Sequence, residues 1–223
     1  MYKNLINISD LNETDINEIL ELSKKIENDN YKEDLNKKKI GLIFEKPSTR
    51  TRLSFISGIH ELNGVPIEID LNNLNLSRNE SLIDTFKMFD LYLDGLVFRT
   101  NKHEKLLTAS KYFNKPIINA LSDLSHPCQI LADFFTLNEI FKKDKLIISW
   151  FGDVNNVLFS LIELSKLIPR IHLNIFTDKS LFSDVFKNLL SKNIQTKDKV
   201  CDKTVNMSDC IMTDVFTSMN DDY

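Results

Sequence analysis

Glycine is scarce in this chain, with 5 among 223 residues, and so is proline at 5. A glycine-rich phosphate cradle is therefore missing. Gly152 is followed by no second or third glycine of a G-x-G-x-x-G fingerprint, which gives a dinucleotide-binding reading little support. The accompanying surplus of Lys, Asn and Ile reflects codon supply more than function. Cysteine is also rare: Cys128, Cys201 and Cys210 form neither a disulfide framework nor a metal-ligand spacing, so a reducing, cytoplasmic setting is expected. The 4 histidines are scattered, and only His126 sits in a motif, so neither a metal site nor a cofactor is expected. Long apolar runs are absent too. Leu146 to Phe151, broken by Ser149, falls far short of the roughly 20 residues that a membrane helix needs. The opening Met1-Tyr2-Lys3-Asn4-Leu5 has neither the apolar core of a signal peptide nor the arginine-rich character of a transit peptide. A net charge of −4 argues against a general nucleic-acid surface.

What is present is ample apolar content, 42%, arranged in alternating strand-like and helix-like segments. Lys39 to Phe44 reads as a buried strand followed by a helix from Thr49 to about Leu62. Strands at Val65–Leu71, Gly95–Arg99 and Pro116–Ala120 alternate with helices at Glu80–Tyr92, His103–Tyr112 and Pro127–Phe141. After the polar break Lys142-Lys143-Asp144 the pattern resumes: a strand from Leu146, a helix Asn155–Ile168, a strand Ile171–Thr177, a helix Ser180–Ser191 and a strand Asp209–Thr213. Such alternation predicts an α/β fold with two doubly wound parallel sheets. The expected domains are residues 1–141 and 142–223, the second incomplete in this chain.

Ligands in such sheets collect at the carboxyl ends of strands, and the polar clusters fall there. Ser48-Thr49-Arg50-Thr51-Arg52 packs two guanidinium forks and three hydroxyls where a strand pattern gives way to a helix pattern. Backbone N–H groups at a helix start point at an anion, and Arg forks match phosphate oxygens in pairs. The plainer alternative is a Ser/Thr cap followed by a solvated basic turn. His126-Pro127-Cys128-Gln129 opens a second helix, with proline in the first turn where its missing N–H costs little. Cys128 reads as packing, not as a nucleophile.

Together these segments resemble the transcarbamylase family, over about Leu5 to Met219, most specifically at Phe44 to Phe55. The resemblance implies that Ser48, Thr49, Arg50 and Thr51 bind carbamoyl phosphate, with Arg52 in support. Arg99 matches a second phosphate-side arginine, and His126 and Gln129 match the residues that contact the carbamoyl group. Arg99, His126 and Gln129 are the implied catalytic set. Asn75 stands where the family carries Gln or His reaching a neighbouring subunit's phosphate, which implies a homotrimer. On the acceptor side, Gly152 to Asn156 and Thr213 to Met219 resemble the ornithine branch, so Asn156, Asp214, Ser218 and Met219 are expected to hold L-ornithine. An acidic side chain suits a cationic amino acid, whereas an aspartate acceptor calls for Arg or Lys. The family's Ser-Met-Gly reads Ser218-Met219-Asn220 here, and the family continues past Tyr223, so a fragment of a longer gene product is expected. Two alternatives stay open: a transcarbamylase for aspartate (Arg78 is the point in its favour), a modified ornithine or another diamine, and a non-catalytic anion-binding relative.

Overall fold

The computed structural model of the chain describes residues 4–28, 31, 34–71, 81–177, 186, 188, 190–197 and 205–214. It contains two four-stranded parallel sheets flanked by helices. In the first sheet the strands are β1 (Lys39–Phe44), β2 (Val65–Ile69), β3 (Gly95–Arg99) and β4 (Ile117–Leu121), in the order β2-β1-β3-β4. Successive residues of a strand face opposite ways, and both faces here are covered. Leu42 and Val97 pack with Ile59 of α2 (Arg50–Glu61), whereas Ile43 and Phe98 pack with Phe86 of α3 (Leu82–Tyr92) and Leu106 of α4 (His103–Tyr112). That two-sided burial is why β1 and β3 read as unbroken apolar runs. Gly41 sits where β1 is tightest, since a Cβ there would lie 2.6 Å from a methyl of Leu93.

The second sheet comprises β5 (Leu146–Phe151), β6 (Ile171–Phe176), β7 (Ile194–Lys197) and β8 (Cys210–Thr213), in the order β7-β6-β5-β8. Its core is not drawn from the second half of the sequence alone. Trp150, Leu158 and Ile162 share it with Ile8, with Ile16 of α1 (Glu13–Glu27) and with Ile130 and Phe134 of α5 (Pro127–Ile140). The N-terminal segment links the two sheets. Along the edge of β4, the Leu5 N–H donates to the Ile117 carbonyl at 2.8 Å and the Asn119 N–H to the Leu5 carbonyl at 2.8 Å. A 3₁₀ turn at Ile8–Asp10 then meets α6 (Asn156–Leu167), where the Ile8 N–H and the Ser9 hydroxyl donate to the buried Glu163 carboxylate.

The strands expected at 39–44, 95–99 and from 146 lie where the pattern placed them, as does the helix at 103–112. β2 ends at Ile69 rather than Leu71. The helix expected at Ser180–Ser191 and the expected start of α3 at Glu80 fall largely or wholly outside the described residues. β7 is an addition to the expected strands. It is a short sheet edge in which only Ile194 is buried, so it carries little hydrophobic signal.

Candidate active site

The carboxyl ends of β1, β3, β4, β5 and β8 open on one cleft of about 1150 Å³, whose lining includes residues from both halves of the chain. On the first side, β1 runs into the loop at 45–49, and α2 begins at Arg50. Thr49 stands at the N-cap of α2, yet its side chain makes no capping hydrogen bond. The hydroxyl is thus not spent as a local cap, and Ser48, Thr49, Arg50 and Thr51 all line the cleft. Arg52 does not. Its guanidinium sits 5.4 Å from the Phe44 ring centroid and pairs with Glu68 at 3.0 Å, consistent with a supporting part.

Arg99 ends β3, where a shift in register with β4 between Phe98 and Arg99 marks an irregularity of the kind that re-aims side chains. It is buried, lines the cleft and donates to the Ser48 hydroxyl at 3.4 Å. Burial lowers its pKa from the ordinary arginine value. Two arginines, one exposed and one buried, therefore reach the same space as the hydroxyls of residues 48–51.

His126 and Gln129 enter from the start of α5 and also line the cleft. The His126 ring is buried, and its Nδ1 has no hydrogen-bond partner among the described residues. Burial, aided by the charge of Arg99 and opposed by that of Asp214, pulls its pKa down to about 4. The imidazole is accordingly neutral near pH 7, with one nitrogen to donate and one to accept. Gln129 is exposed and donates to Asp133 one turn further along the helix, at 2.9 Å. Cys128 lies between them. Burial pushes its thiol up to about 12, and its Sγ donates to the Asn119 carbonyl at 3.4 Å, so it is an inert packing group.

The opposite side comes from the second sheet. Gly152 turns the chain out of β5 with φ +146, a conformation that favours glycine. Asn155 caps α6 by accepting from the Val157 and Leu158 N–H groups, while its amide donates to Asp214 at 2.9 Å. Asp214, just past β8, is thereby tied to the start of α6 and lines the cleft together with Asn156. The Asn156 amide donates across the cleft floor to the Ser122 carbonyl at 2.7 Å. Asn75, Arg78, Ser218, Met219 and Asn220 lie outside the described residues.

Several groups at the site were not singled out from sequence. Glu45 accepts from the Thr100 hydroxyl at 2.6 Å, the Asn101 N–H at 3.2 Å and the Lys105 ammonium at 2.6 Å, fastening the loop after β1 to the loop after β3. Burial alone would raise its pKa, but these partners outweigh that and hold it below the usual glutamate value. Asp133 carries a raised pKa, first from burial, with the charge of Asp214 adding to it. The one legible hint was Glu45 itself, an acidic residue directly before the basic loop. Among the described residues no group of His, Cys, Asp and Glu could hold a metal ion, and no helix is long and apolar enough to cross a membrane.

Comparison with known proteins gives a family and a set of relatives. The family profile "Aspartate/ornithine carbamoyltransferase, carbamoyl-P binding domain" matches residues 3–139. An ornithine carbamoyltransferase of Methanocorpusculum labreanum is 35% identical over 230 residues, covering 100% of this chain and 75% of that protein. One of Methanocaldococcus jannaschii is 37% identical over 231 residues, covering 98% of this chain and 75% of that protein. Among solved structures, the anabolic ornithine carbamoyltransferase of Campylobacter jejuni superposes with a TM-score of 0.87 at 31% identity, over 98% of this chain and 75% of that one.

Proposed function

The chain belongs to the aspartate/ornithine carbamoyltransferase family, and from that premise we propose that it transfers the carbamoyl group of carbamoyl phosphate to the δ-amine of L-ornithine, giving L-citrulline and phosphate. The observation that carries the reading is the single cleft. Ser48 to Thr51, Arg99, His126, Gln129 and Asp214 all line it, which supports a reading with an anion-binding group, a carbonyl-facing group and an acidic acceptor-side group.

In the proposed reaction the neutral δ-amine attacks the carbamoyl carbon and a tetrahedral intermediate forms. Its collapse breaks the bond to the phosphate oxygen, and the leaving phosphate takes the proton that the amine nitrogen sheds. Arg50, Arg99 and the hydroxyls of Ser48, Thr49 and Thr51 neutralise the departing phosphate through paired, charge-assisted hydrogen bonds. Neutral His126 donates to the carbonyl oxygen as negative charge gathers there, and Gln129 meets the carbamoyl amide. Donors fixed in advance by a folded site need no reorganisation as the charge develops. Asp214 and Asn156 place the acceptor, with Ser218 and Met219 completing that side, and Asn75 contributes to a neighbouring subunit's phosphate site. No covalent enzyme intermediate is required, and orientation with preorganised electrostatics supplies the acceleration.

The same reading assigns residues 1–141 to carbamoyl phosphate binding and 142–223 to ornithine binding, in a cytoplasmic homotrimer serving arginine metabolism. The test is a product assay with carbamoyl phosphate and either acceptor. Citrulline should form with ornithine, whereas carbamoyl-aspartate formation would reassign the acceptor. Tight carbamoyl phosphate binding without turnover of either would favour a binding-only relative.

A further inference from the structure

A run of buried polar side chains joins the carbamoyl side of the cleft to the acceptor side, and its centre is Ser160 on α6. The Ser160 side chain is fully buried and makes three contacts. Its hydroxyl donates to the Asn156 carbonyl at 3.1 Å, accepts from the backbone N–H of His126 at 2.9 Å and lies 3.1 Å from the Ser125 hydroxyl. A hydroxyl has one proton and two lone pairs, so these contacts exhaust it. The acceptor-side helix thus supplies the partner for a donor at the first residue of the His126-Pro127-Cys128-Gln129 segment.

The rest of the network holds the residue that precedes His126. The Ser125 N–H donates to the Ser122 hydroxyl at 3.1 Å, and the Asn119 amide donates to the Ser125 carbonyl at 3.3 Å. The Ser122 hydroxyl lies 2.8 Å from Nδ1 of His103. Ser125 is therefore held on one side of that peptide, and the His126 N–H on the other is held by Ser160. Pro127 follows directly, with its ring locking φ and offering no N–H of its own. The contact to Ser160 comes from the other sheet's helix. Asn156, one turn earlier on α6, reaches the Ser122 carbonyl from the same side.

We propose that Ser160 is a positioning residue for His126, so that the acceptor-side helix sets the aim of the carbamoyl-facing imidazole through a single backbone hydrogen bond. Its hydroxyl is buried behind the cleft and does not line it. Loss of it leaves a buried N–H unsatisfied, and the simplest relief is rotation of the His126 backbone, which carries the ring away from its target. The inference rests on the carbamoyl phosphate reading of the cleft.

Two probes separate its parts: phosphonoacetamide, which presents both the phosphonate and the carbamoyl-like amide, and inorganic phosphate, which presents the anion alone. Calorimetry on the full chain should show Ser160→Ala weakening phosphonoacetamide about ten- to a hundredfold, the range expected for one buried donor left unpaired. Inorganic phosphate, held by residues 48–51 and Arg99, should bind unchanged. In a His126→Ala background the same substitution should cost nothing further, because the ring it aims is gone. Ser160→Cys, which fills the site with a somewhat larger and weaker acceptor, should shift the ratio of the two affinities in the same direction and stands in if the alanine variant does not fold. Equal weakening of both ligands, or an unchanged ratio, would overturn the proposal. Failure of the wild-type chain to bind either ligand would overturn the carbamoyl phosphate reading, and this inference with it.

Discussion

The residue with the most informative electrostatics is His126. Its pKa falls to about 4 because burial and the nearby Arg99 both oppose a second proton, more than Asp214 favours one. An unfolded histidine titrates near 6.5. Between those values the unfolded chain binds more protons than the folded one, so stability rises with pH across that interval and is lost as pH falls through it. From pH 7 to pH 4 the loss from this one ring is on the order of 3 kcal/mol. Denaturant unfolding of wild type and His126→Gln at both pH values measures it. The wild type should lose more stability on acidification than the variant by about that amount, and parallel pH curves would contradict a neutral, buried imidazole. The same neutrality fits the proposed chemistry, since an uncharged ring keeps one nitrogen to donate to the carbonyl oxygen of the acyl phosphate.

At the scale of elements, the cleft depends on how helices start. α6 is capped by Asn155, whose carbonyl oxygen takes two N–H groups while its amide holds Asp214. Replacing it by alanine removes a cap worth about 1 kcal/mol and frees the carboxylate at once. Asn155→Ala should lower the thermal midpoint modestly and raise KM for ornithine roughly tenfold, the size of one charged hydrogen bond, with carbamoyl phosphate affinity unchanged. An equal rise in both constants would mean that the cleft as a whole had shifted. Much of this level was readable in sequence, because β1, β3 and β5 are buried on both faces and so appear as apolar runs with sharp ends. The hydroxyl-rich loop after β1 and the His-Pro start of α5 were legible for the same reason: each is a local signal at a strand end or helix start. The edge strand β7 was not, since Gln195, Thr196 and Lys197 read as loop. Nor were Ser160, Asp133 and the partners of Glu45, whose parts follow from contacts between elements distant in sequence, such as the one between positions 126 and 160.

For the molecule as a whole, the question is whether the two sheets behave as one unit. The second core takes in Ile8, Ile16, Ile130 and Phe134, all from before the break at 142–144, so the second sheet does not bury its apolar surface with its own half of the sequence. Glu163 reinforces this: a carboxylate on α6, 6% exposed, accepts from Ile8 and Ser9 of the N-terminal segment, which itself runs along β4 of the other sheet. Burial raises its pKa more than those donors lower it. Glu163→Ala would strand the buried Ile8 N–H, at a cost of about 1–3 kcal/mol, while the exposed Ser9 hydroxyl turns to water. Scanning calorimetry should then show one unfolding peak for wild type and one, at lower temperature, for the variant, because a core shared between halves unfolds cooperatively. Two separated peaks in wild type would mean that the sheets fold independently. That outcome would also remove the physical basis for transmitting position from α6 to His126, since helices belonging to separately folding units could not hold the 2.9 Å contact on which that coupling depends.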